Sequence, residues 1–194
     1  LGEAFAILYG IADADKIRKM VQNQPITEQG IACVYPSFAR YKGADGKEFG
    51  RHSGTVWPHI QSYWADAMLR NGYPEAFEHE FFALTRNAVR DGFFSEIYHP
   101  ITGMPYGGWQ EEKGEMILWN SEKKQTWSAT GYLHMILNNI LGIGVREHSF
   151  TVQPYLPVGI SSASLSGLAI RNKPVRLKVS GHGGTIKNCR LYGD

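Results

Sequence analysis

Cysteine is scarce in this chain of 194 residues. Cys33 and Cys189 fit no metal-ligand spacing and read as two free thiols; whether they pair stays open. The compartment stays open with them, a periplasmic or secreted setting included. Long apolar runs are missing as well. The longest, near Leu133–Ile143, is interrupted by Asn138 and Asn139 and is too short to cross a membrane, so no membrane partner is expected. Charge of one sign is lacking too: Lys and Arg number 20 against 18 Asp and Glu, a net of +2, and the basic residues form no block. That balance argues against nucleic acid or another polyanion as partner. There is no internal repeat, no low-complexity stretch, no initiator Met and no signal peptide. The first residues are already in helical periodicity and the last follow strand-like sequence. The chain therefore reads as part of a longer protein whose N-terminal part is a missing partner.

Several common chemistries are absent by motif. Gly181-His182-Gly183-Gly184 lacks the Lys and the following helix of a phosphate loop and reads as a hairpin turn. Asp45-Gly46-Lys47 is not followed by the alternating carboxylates of a calcium loop and reads as a turn. No nucleophile elbow is present. Glu78-His79-Glu80 lies in a helical stretch where neighbours in sequence do not face each other, so a solvated face is expected there and no metal site. No cofactor is implied.

What is there is a hydrophobic content of 43%, enough for a packed core. Residues 1–142 carry four helical patterns. Phe5, Leu8, Tyr9 and Ala12 open a helix expected over 1–22. Trp57, Ile60, Gln61, Trp64 and Met68 mark a second over 55–72, with Thr55 as N-cap and Pro58 in the first turn. Phe77, Phe81, Leu84 and Ala88 mark a third over 74–91, closed by Gly92. Leu133, Ile136, Leu137, Ile140 and Leu141 mark a fourth over 127–141. Long loops are expected at 23–54 and 93–126. From 143 the pattern turns to short β-branched or alternating stretches at 148–156, 163–170, 175–180 and 185–191, expected as an antiparallel β module over 143–194. The class expected is mainly α with a β tail.

The most informative residues lie in the loops. Glu96 sits between the aromatics Phe93, Phe94 and Tyr98, in a stretch closed by Pro100 and Gly103. A carboxylate in an aromatic surround suits sugar cleavage, because aromatic faces stack on pyranose rings and partial desolvation tunes a carboxyl group. Trp57, Tyr98, Trp109 and Trp127 are candidates to line a sugar subsite, and Arg51 and His52 to donate hydrogen bonds to hydroxyls. Core packing is the alternative for the tryptophans, and a plain loop hydrogen bond for His52.

Three strings occur in order: Arg51-His52-Ser53-Gly54-Thr55-Val56-Trp57-Pro58, then Glu96-x-Tyr98-x-Pro100-x-Thr102-Gly103, then Gln125-Thr126-Trp127-Ser128-Ala129. Together they resemble the C-terminal portion of six-hairpin glycosidases, most closely glycoside hydrolase family 63, the group of the processing α-glucosidase I, with trehalase more distant. The resemblance implies the C-terminal hairpins of an (α/α)6 catalytic barrel over 1–142, followed by the β module. It implies an inverting hydrolase of O-glycosidic bonds, acting on a glycoside or oligosaccharide with Glu96 as general base. It also implies a general-acid Asp upstream of these residues, so the chain alone is expected to be inactive. Gln61 stands where relatives often have Asn and is implied in sugar binding. Inverting hydrolysis needs two carboxyl groups, one to protonate the leaving oxygen and one to deprotonate water. Other readings are another (α/α)6 hydrolase, such as an α-L-rhamnosidase or debranching-type glucosidase, or a non-catalytic carbohydrate-binding module.

Overall fold

The computed structural model describes residues 1–43 and 45–190, and the chain divides into two compact units, Leu1–Leu133 and a second from His134 onward. In the first unit, α1 (Gly2–Leu8) and α2 (Ala14–Asn23) replace the single helix expected over 1–22. Gly10 takes a positive φ of 69° that ends one helix, and Asp13 starts the next by accepting from the Lys16 backbone N–H at 2.9 Å. Strands β1 (Ile26–Thr27) and β2 (Gly30–Ile31) then form a minimal antiparallel hairpin.

Helices α3 (Pro58–Arg70) and α4 (Pro74–Asp91) follow the sequence pattern closely. Each has proline in its first turn, where a missing N–H costs nothing. The N-cap of α3 is Trp57, with extended backbone, and not Thr55. Helix α4 ends at Gly92, whose left-handed φ of 72° lets its N–H bond the Ala88 carbonyl. Ile60, Trp64, Ala67 and Met68 of α3 form one buried stripe, packed with Ala4 and Ile7 of α1, Ile17 of α2, Ile31 and Ile97. Each buried Ile or Met among them contributes roughly 1.5–3 kcal/mol, and each Ala less.

The partial (α/α)6 barrel is overturned. Among the described residues, five α-helices share the chain with four separate two-stranded antiparallel sheets. Among the described residues only α3 and α4 make a long helix hairpin. The stretches expected as loops are partly β instead. Strands β3 (Trp109–Glu112) and β4 (Glu115–Leu118) pair across Lys113-Gly114, both at positive φ (52° and 83°), as a tight two-residue hairpin requires. The solvated face expected at Glu78-His79-Glu80 is also corrected, because Glu80 is 0% exposed. Its Oε2 accepts from the Ile31 N–H at 3.1 Å and from Gln61 Nε2 at 3.0 Å, which ties β2, α3 and α4 together.

At the boundary between the two units the helix expected to end at 141 changes character. Helix α5 (Thr126–His134) gives way to a wider π-helical stretch, Met135–Ile140. Two hairpins follow: β5 (Ile143–Val145) with β6 (Phe150–Val152), and the longer β7 (Ser162–Ile170) with β8 (Lys173–Ser180). The strand expected over 185–191 does not form over 185–190, and Leu191 lies outside the described residues.

Candidate functional site

An irregular ribbon brings the two loop motifs together. Val56 exchanges both backbone hydrogen bonds with Tyr98, at 3.0 and 2.8 Å, while Cys33 N–H bonds the Thr55 carbonyl at 2.8 Å on the other side. Glu96 lies two residues before Tyr98, and Trp57 directly follows Val56. The pairing therefore sets the Arg51–Trp57 loop beside Glu96. The Arg51 N–H bonds the Trp109 carbonyl at 2.8 Å, which adds β3 to the same corner.

Glu96 is buried, and Arg51 Nη2 donates to its Oε1 at 2.8 Å. The Glu96 backbone N–H bonds the Glu122 carbonyl at 2.8 Å, fixing the segment from which the carboxylate projects. A buried carboxylate without a partner would be costly, and the guanidinium supplies the compensating charge. Arg51 is itself held on several sides. Its carbonyl accepts from Thr55 Oγ1 at 2.6 Å and from Trp57 Nε1 at 2.9 Å. Its guanidinium carbon lies 5.6 Å from the Trp57 ring centroid and 5.2 Å from that of Trp119, within cation–π range of both indoles. Among the described residues its buried Nη1 has no hydrogen-bond partner.

Beyond Trp57 the aromatic surface continues. The His52 ring stacks on Trp57 with centroids 4.8 Å apart and planes 13° apart. His59 and Trp127 stand 5.7 and 5.9 Å from the Trp57 ring and 5.2 Å from each other. Trp119 and Trp127 remain 42% and 44% exposed, leaving part of each indole open to solvent. Both imidazoles titrate below their ordinary value. Burial is the main cause for each, Arg51 adds to it at His52, and the Glu96 charge pulls the other way on both.

Of the residues singled out in the sequence, Glu96, Arg51, His52, Trp57 and Trp127 converge here. Tyr98 is present through its backbone, but its ring is fully buried and its hydroxyl accepts from the Ser95 N–H at 3.0 Å. Burial pushes that phenol up from its ordinary value. Trp109 is half-buried and joins through its backbone. Gln61 stands apart, with its amide spent on Glu80 and on the Gln29 carbonyl at 2.9 Å. Phe93 and Phe94, next to Glu96 in sequence, turn elsewhere: Phe94 packs on Tyr132 at 5.1 Å and Phe93 lies under Lys123 at 5.9 Å.

Two residues of this corner were missed. His59 sits between Pro58 and Ile60 in what reads as an ordinary helix face. Trp119 follows a strand hidden in an expected loop, and the apolar run Met116-Ile117-Leu118 before it was the available signal. No group of three or more potential metal ligands occurs among the described residues. No protein-family model matches the chain, and no curated protein matches it either.

Proposed function

We propose that the chain carries part of the catalytic site of an inverting glycoside hydrolase acting on a glycoside or oligosaccharide, with Glu96 as the general base. The observation that carries this reading is a buried carboxylate held by a single arginine beside three indoles, two of them partly open to solvent. The motif strings around Arg51, Glu96 and Trp127, which resemble those of family 63 enzymes, support it independently. In this reading Glu96 takes a proton from water as the water oxygen attacks the anomeric carbon. Arg51 orients the carboxylate. Trp119 and Trp127 offer ring faces to the sugar, and the buried Trp57 packs behind them. The leaving oxygen receives its proton from a second carboxyl group supplied by a segment outside these residues.

The test uses the full-length protein, its Glu96→Gln variant and the 194-residue chain, assayed on aryl glycosides and short oligosaccharides. Gln keeps the size and a carbonyl acceptor for Arg51 but cannot take the proton, so turnover falls by at least ~10²–10⁴-fold while sugar binding persists. The isolated chain is inactive. Near-wild-type turnover by the variant removes Glu96 from the mechanism.

A second reading, a carbohydrate-binding surface without catalysis, is favoured by one observation: the exposed indoles of Trp119 and Trp127 suit stacking whether or not a bond is cut. It predicts that full-length protein binds sugars with no turnover and that Glu96→Gln changes nothing.

A further inference from the structure

The near-neutral charge of the chain hides a division. Residues 1–133 carry thirteen Lys and Arg against sixteen Asp and Glu, whereas residues 134–194 carry seven against two. The second unit is therefore basic and the first acidic. The excess is organised on the β7–β8 hairpin. In β8, Val175, Leu177 and Val179 alternate as the half-buried face, and Arg176, Lys178 and Ser180 as the exposed one. In β7, Leu165 and Ala163 oppose Leu177 and Val179 on the half-buried face, while Ser164 opposes Lys178 and Ser162 opposes Ser180 on the exposed one. Ser166, exposed at the register shift between Leu165 and Leu168, follows Ser164 along the strand. Away from the turn the outer face is thus a ladder of cations and hydroxyls, and the exposed pair Ala169–Pro174 continues it toward the turn. Among the described residues no carboxylate forms an ion pair with Arg176 or Lys178.

We propose that this outer face of the β7–β8 hairpin binds an anionic polysaccharide, a glycan chain carrying carboxylate or sulfate groups. Alternate residues on a strand stand roughly 7 Å apart, so the two cations present a row of charges to an extended polymer. The serine hydroxyls between them donate to or accept from sugar hydroxyls, which a bare basic patch does not offer. Nucleic acid is disfavoured because none of the six residues is aromatic, so they offer no ring for base stacking. A lipid surface is disfavoured because the apolar side chains on the exposed face, Ala169 and Pro174, are small and no aromatic ring stands beside them to insert. The proposal stands independently of catalysis at Glu96, since it invokes no bond cleavage and no residue of the first unit.

The test titrates the full 194-residue chain, at about 50 mM salt, where surface electrostatics are only partly screened. The probes are a sulfated oligosaccharide, an oligogalacturonate, a neutral dextran oligomer of similar length, single-stranded DNA and anionic vesicles. The comparison proteins are R176S/K178S and a control, K42S/K113S, that removes the same charge from the first unit. The expected result is binding to at least one acidic glycan and not to dextran. R176S/K178S should weaken it roughly ten-fold and flatten its salt dependence, whereas K42S/K113S leaves it within two-fold, roughly the scatter of a rim charge. Circular dichroism of both variants matches wild type, because all four side chains lie on the surface. Equal weakening by the control pair overturns the proposal, as does tighter binding to DNA or vesicles, or no binding to either acidic glycan.

Discussion

Arg51 and Glu96, 45 residues apart in the chain, meet in a 2.8 Å ion pair whose side chains are only 17% and 5% exposed. A pair this deep is more sensitive to losing one partner than both, because the survivor is left as an uncompensated buried charge. Arg51→Met is expected to lower unfolding free energy by about 3 kcal/mol. Adding Glu96→Gln to it restores most of that loss. Urea denaturation of the two single variants and the double variant measures the coupling. Strictly additive losses would show that the two charges do not support each other.

Gly108 supports the same pair through backbone. It has φ of 77°, and a Cβ there would come within 2.6 Å of Arg51 N and Cα. Gly114, at the hairpin tip, has φ of 83° with open space around it. Both alanine variants carry the left-handed penalty of about 1–2 kcal/mol, but only Gly108→Ala also has to move the Arg51 backbone. Thermal unfolding is expected to put the Gly108→Ala loss clearly above that of Gly114→Ala. Equal losses would mean that the approach of β3 to Arg51 is loose.

The imidazoles give the site a pH dependence of defined sign. Burial lowers the folded-state value of both His52 and His59 from an ordinary 6.5, with Glu96 opposing. The unfolded chain then binds more protons than the folded one once pH drops below about 6.5, so stability is lost as pH falls from there toward the folded values. Above that range the two histidines are neutral in both states and add no slope. Replacing both with Gln is expected to flatten the stability profile as pH falls below about 6.5. A profile unchanged by the double substitution would assign the slope to other groups.

Which parts of this arrangement were legible depends on how local their causes are. Helices α3 and α4 are written in proline, glycine and apolar spacing, all short-range signals; α4 matches its expected bounds of 74–91, while α3 is Pro58–Arg70 where 55–72 was expected. The break between α1 and α2 was written in Gly10 and Asp13, but the apolar repeat running through Ala12 outweighed them. The β3–β4 hairpin was obscured because Gln110, Glu111 and Glu112 are poor strand residues, and only the Lys113-Gly114 turn argued for pairing. Glu96 and Arg51 were legible as loop residues of the right chemistry. Their contact was not, since it rests on Val56 pairing with Tyr98, a register no local pattern encodes. Gln61 is implied in sugar binding only by the resemblance, as the residue standing where relatives often have Asn. Trp57 is the cap and not the first turn, and the nearby buried Glu80 takes the amide.

Helix α4 spreads its polar side chains over two distant turns. Arg86 bonds the Glu28 carbonyl at 3.4 Å, Asn87 bonds Gln29 Oε1 at 3.3 Å, and Arg90 bonds the Gly103 carbonyl at 2.7 Å. Gln29 in turn reaches the Ile101 carbonyl at 3.4 Å, across 72 residues of sequence. Those three helix positions span only about 6 Å of axis at 1.5 Å per residue. The turn at 99–103 continues directly from the irregular segment that carries Glu96, so that segment is referenced at its far end to a helix. The tolerance on its position is inherited from helix stiffness, and drift in either turn is checked against the same ruler.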